Sequence, residues 1–392
     1  MSNPNISSYS LTLAIFALAI GAFCIGTTEF VAMGLIQEIA QDLQVSYAHA
    51  GYLISAYALG VVVGAPIIAI LAAQFSRKKL LIGLMLFYGL ANIITAFADH
   101  FNTILLSRFI AGLPHGAFFG IGALVVAELA GMHKRTSAIA QMMMGLTIAT
   151  VIGVPFATWL GQNFGWRSGF MFSASIAAIT FIAISLYVPN IPQQSNSSIK
   201  NELKGLKNTQ MWLTLSIGAI GFGGMFSVYT YVSPILTHYT QVPISHVPIA
   251  LAVLGIGMVI GGLVAGHFAD KNLNKTIIAV LIGSTLAFIL ATLLLSHWYS
   301  ALCALFLIGF TIIGLAGPLQ ARLMDVAGDA QGLAASLNHS AFNLSNALGA
   351  FVGGWVLKEN LGWLAPVWSG VIFSLGGLVL FFIALSIEKK QS

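Results

Sequence analysis

Charge is what this sequence has least of. Only 7% of its 392 residues are Asp, Glu, Lys or Arg, whereas a soluble domain carries roughly 25% because water must solvate its surface. An ordinary soluble fold is thereby excluded. Lipid is left as the main solvent for a chain that is 58% hydrophobic. Cysteine is scarce too. Cys24 and Cys303 lie far apart inside apolar runs, which argues against a disulfide framework and for core packing of both. Metal-ligand clusters, nucleotide-phosphate loops and nucleophile triads are missing, so no metal, cofactor or ATP drive is expected.

What is present is a succession of apolar runs near 11–34, 48–73, 79–98, 103–129, 137–161, 168–189, 211–236, 247–269, 275–296, 299–321, 331–356 and 363–387. A helix crosses a bilayer with about 20 apolar residues while satisfying its own backbone. A β-barrel would instead alternate polar and apolar residues in strands of about ten. The expectation is an all-α membrane protein of twelve transmembrane helices in two pseudo-symmetric six-helix bundles. The first run is too long for a signal-peptide core and reads as an uncleaved first span.

Basic residues set the expected orientation, because cytoplasmic loops are the richer in Lys and Arg. Arg77, Lys78 and Lys79 follow the second span, Lys134 and Arg135 the fourth, Lys200, Lys204 and Lys207 the sixth. Lys271 and Lys275 follow the eighth, Arg322 the tenth, and Lys389 and Lys390 the twelfth; only Arg167 and Lys358 fall on the other side. Both termini are therefore expected in the cytoplasm of a bacterial inner membrane. The net charge of +5 reflects this asymmetry and not nucleic-acid binding. The polar stretch from Pro189 to Gln210 reads as a cytoplasmic linker (189–210) between an N-terminal bundle (1–188) and a C-terminal bundle (211–392).

Self-similarity appears at an offset of 197 residues. Ile20-Gly21-Ala22 falls over Ile217-Gly218-Ala219, Phe109 and Gly112 over Phe306 and Gly309, and Asn163, Gly165 and Trp166 over Asn360, Gly362 and Trp363. Duplicated halves of this kind place a chamber at their interface near mid-membrane, where rocking exposes it to either side. Gly112, Gly116 and Gly120 on the fourth span, with Gly349 and Gly353 on the eleventh, predict close helix packing.

An ionisable side chain at mid-membrane costs about 2.5–3.5 kcal/mol on insertion scales and needs a partner or a wet cavity. Glu29 and Arg108 sit at matching depth inside the first and fourth spans, so they can meet. At the offset of 197 they correspond to Phe226 and Leu305. A charge pair held by one half alone points to a task, proton coupling, rather than a structural bridge. A carboxylate is charged beside a cation and neutral when buried, so changing hydration can load and release a proton. His115, seven residues after Arg108, is a packing or substrate-contacting candidate. His339, Asn343 and Asn346 form an i, i+4, i+7 polar stripe that should face the chamber, since amides in lipid lack partners. Tyr57, Tyr229 and Tyr231 are further lining candidates.

These features resemble the major facilitator superfamily, and most of all the twelve-span drug:proton antiporters of the sugar-efflux and chloramphenicol-exporter branch. The likeness spans nearly the whole chain. It is carried by Gly26-Thr27-Thr28-Glu29-Phe30 through Gly34, by Ser55-Ala-Tyr57-Ala-Leu-Gly60 and Gly64-Ala65-Pro66, and by Arg108 through Gly116. Ala341-Phe-Asn343-Leu and the Gly145, Gly153 and Pro155 positions add to it. The resemblance implies a proton-coupled exporter of drugs, sugars or nucleosides working by alternating access, with Thr28 in the substrate cavity and a monomer as the working unit. It also implies gating loops. The second-half copy, Gly266-His-Phe-Ala-Asp270-Lys271, keeps the family pattern, while the first-half copy has Ala73 and Gln74 where acid and base are usual and retains Arg77, Lys78 and Lys79. An importer or facilitator of the same fold is the rival reading. An intramembrane enzyme would need clustered catalytic groups, and a channel a polar or charged ring.

Overall fold

The computed structural model describes residues 8–72, 75–131, 134–190, 208–327 and 331–391, and among them every regular element is helical. Ala73, Gln74 and most of the 189–210 linker lie outside the described residues. Eleven helices are long and apolar enough to span a membrane. They are Leu11–Gly34, Tyr47–Ile68, Arg77–Phe97, Phe101–Ala130, Ser137–Phe164, Arg167–Tyr187, Thr209–Thr230, Ile244–Lys271, Leu273–Leu294, Trp298–Ala327 and Ala365–Lys389. The helix Gln331–Lys358 matches them in length at 28 residues. Asn338, His339, Asn343 and Asn346 lower its hydropathy, and with it the spans number twelve. Large apolar side chains face outward around the bundle, Leu263, Leu293 and Ile372 each more than two-thirds exposed, as lipid contact requires.

Sequence chemistry explains the irregularities. Pro114 interrupts the fourth span between Phe101–Gly112 and His115–Ala130. The fifth span carries a π-helical turn at Ala149–Gly153 immediately before Pro155, whose ring lacks the N–H that an α-turn would use. The seventh span ends in a second π turn, Ile235–Tyr239, directly after Pro234. The third and ninth spans start on side-chain caps: Ser76 Oγ accepts from the Lys79 N–H and Asn272 Oδ1 from the Lys275 N–H at 3.0 Å.

The duplication is written into the backbone. Gln44 and Gln241, 197 apart, take left-handed φ of 54° and 58°, and Gly165 and Gly362 take 88° and 93°. Helix contacts repeat at the same offset. Gly60 lies against the Phe109 carbonyl and Gly257 against that of Phe306; Gly64 meets Leu113 and Gly261 meets Phe310; Gly112 meets Tyr57 and Gly309 meets Leu254. A Cβ at any of these six glycines would collide with backbone, so the second–fourth and eighth–tenth span pairs pack identically. Gly349 faces the Gly223 carbonyl and Gly353 the ring of Tyr231, whereas Gly120 has open space before it and takes no part in the expected ridge. Cys24 is buried and its thiol donates to the Ser173 carbonyl at 3.1 Å. Cys303 is exposed, so core packing explains only the first of the two.

The two groups of six helices meet mainly along the second and eleventh spans and along the fifth and eighth. Ser8 and Gln391 lie at one end of the bundle, called here the terminal end. At the opposite end the halves are latched. Gln37 donates to Thr237, Tyr47 OH shares a hydrogen bond of 3.1 Å with His238 Nε2, and Gln162 donates to the Ile244 carbonyl at 3.1 Å. His238 also stacks on Trp363 with ring centroids 4.7 Å apart. Midway, Phe30 stacks on Tyr229 at 5.2 Å and Ser55 donates to the Ala347 carbonyl at 3.2 Å. Toward the terminal end, Phe119 stacks on His339 and Ser340 donates to the Val62 carbonyl at 3.3 Å.

Candidate functional site

A polar layer crosses the middle of this interface. Arg108 is fully buried. Its Nη2 donates to the Thr28 carbonyl at 3.3 Å, and the guanidinium lies over the rings of Tyr57 at 4.3 Å and Phe170 at 5.1 Å. Its Nε and Nη1 have no hydrogen-bond partner. A guanidinium is a permanent cation with five N–H donors, so the three on Nε and Nη1 are left for something the protein does not supply. Aromatic faces stabilise such a cation without consuming donors.

Glu29 stands one residue along from Thr28, in the same buried layer. Among the described residues no ion pair joins it to Arg108; the cation acts on it through space, and the carboxyl faces the Asn346 amide of the eleventh span. That amide has no well-formed hydrogen bond to any protein group, and Asn343 Oδ1 and Tyr229 OH are likewise unpartnered. Thr28 folds its hydroxyl back to the Cys24 carbonyl at 2.9 Å and presents no free donor.

Tyr57 ties the layer together. Its hydroxyl contacts His115 Nδ1 at 2.9 Å and Tyr88 OH at 3.2 Å, and Tyr88 OH reaches the Ile25 carbonyl at 3.4 Å. His115 thus reaches the same ring that Arg108 covers, although a helix break separates them. Phe119 lies between His115 and His339, its ring parallel to that of His339 at 5.9 Å. Asn343 Nδ2 donates back to the His339 carbonyl at 3.1 Å. Tyr231 lies apart from the layer. Its hydroxyl is satisfied by the Ala350 carbonyl at 2.8 Å and its ring packs against Gly353.

Sequence reasoning missed Tyr88 and Asn92, which face the layer from the third span. Asn92 Nδ2 donates to the Tyr88 carbonyl at 2.9 Å. Their i, i+4 spacing inside an apolar span was the available signal.

The gating-loop residues lie elsewhere, at the terminal end. Arg77 pairs with Glu128, and Lys78 Nζ donates to the Ser185 carbonyl at 2.7 Å. Gly266 has open space before it. Asp270 and Lys271 are exposed, and Lys271 Nζ sits 5.5 Å from the Phe268 ring centroid. The polar hub at that end of the second half is Arg322, buried, donating to Asn274 at 3.0 Å, Gln210 at 3.3 Å and Glu388 at 3.0 Å.

Twelve spans in two repeated groups, enclosing an asymmetric polar layer with unspent hydrogen-bonding capacity, form the architecture of a membrane transporter. Residues 18–338 match the family model of the Major Facilitator Superfamily, and the chain belongs to that family. It is 40% identical to the inner membrane transport protein YdhP of Escherichia coli (strain K12), over 96% of each chain. It is 29% identical to a chloramphenicol resistance protein of Streptomyces lividans, over 95% of this chain and 96% of the relative. The crystal structure of the nucleoside transporter NupG superposes with a TM-score of 0.76 at 16% identity, covering 96% of this chain and 99% of that one. That last likeness speaks for the fold alone. The protein is a multi-pass membrane transporter of small molecules.

Proposed function

We propose that the protein is a proton-coupled antiporter that exports small, polar but uncharged organic molecules across the inner membrane. The observation that carries this reading is the placement of Glu29. It shares a buried layer with a cation it does not pair with, and it faces Asn346 on the other half. A carboxyl in that position has two competing preferences. Dry surroundings favour its protonated form, and hydration beside Arg108 favours its charged form. Protonated, it can donate to Asn346 across the interface; charged, it turns to Arg108 within its own half. Proton occupancy is thereby tied to how the halves sit together.

The bundles 1–188 and 211–392 move as units in this scheme, joined by the 189–210 linker. Basic-residue asymmetry supports cytoplasmic termini; in this scheme the latched end faces outward and the chamber loads from inside. Arg108 Nε and Nη1, Tyr229 OH, Asn343 and Asn346 supply donors and acceptors among aromatic walls. Such a lining suits hydroxyl- and amide-bearing molecules, and the chloramphenicol resistance relative is in keeping with it. The export direction and the proton rest on this reading. The test is a proteoliposome with an imposed pH gradient. The intact protein moves substrate against its gradient as protons run down theirs. Glu29→Gln keeps substrate binding and substrate exchange but no longer responds to the proton gradient. A variant that still concentrates substrate would remove Glu29 from the coupling role.

A further inference from the structure

Away from the chamber, the eighth, ninth and tenth spans leave an open groove of about 440 Å³ at the terminal end. Its floor is apolar: Gly261, Ala265, Ala279, Gly283 and Phe310. Its mouth is basic, with Lys271 and Lys275 on either side of Asn272. The ninth span packs on the eighth, tenth and twelfth, so the groove opens toward the bilayer. Leu263, Phe268 and Ile282 on its flanks are exposed as lipid-facing residues are.

We propose that this groove binds one anionic phospholipid, with the phosphate between Lys271 and Lys275 at the start of the ninth span, and an acyl chain along the apolar floor. Three features converge on that occupant. Gly283 carries no side chain where an acyl chain would lie; the nearest atom to where its Cβ would stand is Thr311 Cγ2, at 3.6 Å. Asn272 caps the ninth span through Lys275 N–H, which sets both groove-lining lysines at the start of a helix, the end whose dipole favours phosphate. Both lysines sit at the level where headgroups of the cytoplasmic leaflet lie, and basic pockets between spans on that side hold acidic headgroups. Of the carboxylates nearby, Asp325 and Glu388 line an adjoining cavity with Arg322, with which Glu388 pairs; that cavity shares Asn272 with the groove and continues along Leu273 and Asn274, whereas Lys271 and Lys275 face the groove and Asp270 does not line it. Because Lys271 and Asp270 end the eighth span, an occupied groove would brace the loop between spans eight and nine.

The site rests on the membrane topology but not on proton coupling, so the two readings fail separately. The test uses the purified full chain, stripped of lipid and offered phosphatidylglycerol or phosphatidylcholine, with bound lipid counted by native mass spectrometry. Phosphatidylglycerol should be retained preferentially. Lys275→Gln should lower its apparent affinity about fivefold, the equivalent of about 1 kcal/mol per basic residue near a charged surface. Gly283→Leu should fill the floor and remove the retained lipid. If that variant does not fold, Ala279→Leu at an exposed groove position should do the same. Equal retention of both lipids would overturn the headgroup assignment, and undiminished retention in the filled variants would overturn the groove.

Discussion

The two halves of this protein share one scaffold and differ in one layer. Where the first half has Glu29, Tyr57, Tyr88 and Arg108, the second has Phe226, Leu254, Thr285 and Leu305 at the offset of 197. The glycine contacts that bring the second and fourth spans together recur residue for residue between the eighth and tenth. Packing is therefore common to both copies, while the charges of the central layer are found in one. Since the apolar copy folds the same helices into the same crossings, the charges of the first half are not needed to make the bundle. They impose a desolvation cost that the second half avoids. The difference assigns chemistry to the first half and a largely passive wall to the second, with Asn343 and Asn346 as its polar contribution to the layer.

That comparison can be broken by making the halves alike. Glu29→Gln should remove one coupled proton. At a membrane potential of 100 mV one charge is worth about 2.3 kcal/mol, so the maximal substrate gradient in proteoliposomes should fall about fiftyfold. Arg108→Leu copies Leu305 into the first half. It should also abolish proton-driven transport, yet leave thermal stability unchanged or raise it, because a buried cation with no ion-pair partner carries a desolvation cost that no counter-charge offsets. A large loss of stability in this variant would make Arg108 a structural anchor. The scaffold itself offers the converse control. Gly60→Val and Gly257→Val face equivalent carbonyls and should each cost about 1–3 kcal/mol, with matching shifts in thermal unfolding. Unequal shifts would show that the repeated contacts do not bear equally on stability.

Much of this was legible in the sequence, and the reason is physical. Apolar runs of spanning length leave few alternatives to helices, and a duplicated helix pair needs glycine at the same crossings, so Gly112 and Gly309 betray the repeat. Glu29 and Arg108 stood out because charge is costly in lipid. What stayed hidden were contacts between distant elements. Tyr88 looks like any aromatic until Tyr57 is brought to its hydroxyl, and Arg322 reads as a topology marker until Asn274, Gln210 and Glu388 converge on it. The latch of Gln37, Tyr47, His238 and Trp363 joins four chain segments, and no local pattern announces it.

The latch shows the same asymmetry at smaller scale and yields two finer predictions. His238 holds Tyr47 through its ring nitrogen and Trp363 through its ring face. One hydrogen bond and one stacked pair contribute about 1–2 kcal/mol together. His238→Ala should therefore lower the closed-to-open ratio about tenfold, read from the reactivity of a cysteine placed at the latched end. Removing Trp363 should have a similar effect on the same readout, and an unchanged ratio in both would mean the latch does not hold that end shut.

Glu38 makes the smaller contribution, and its sign can be worked out. It lies on the short helix Ile36–Asp42 beyond the first span, and the equivalent position in the second half is Ile235. Burial pushes its carboxyl up from 4.5 to about 6, partly offset by Gln162. Tyr47 faces it, with His238 beyond, while Asp42 is kept below the usual carboxylate range by Trp166 and Arg167 and holds its charge throughout. A raised value means that the closed arrangement prefers the protonated acid. Glu38 thus supports closure fully below pH 4.5, and that support is lost as pH rises through about 6. Opening exposes the carboxyl only in part, so the closed-to-open ratio should fall about fivefold across this window. Glu38→Gln keeps the shape, cannot ionise, and should flatten that dependence. An undiminished pH response in Glu38→Gln would leave the first half's extra acid with no part in the latch.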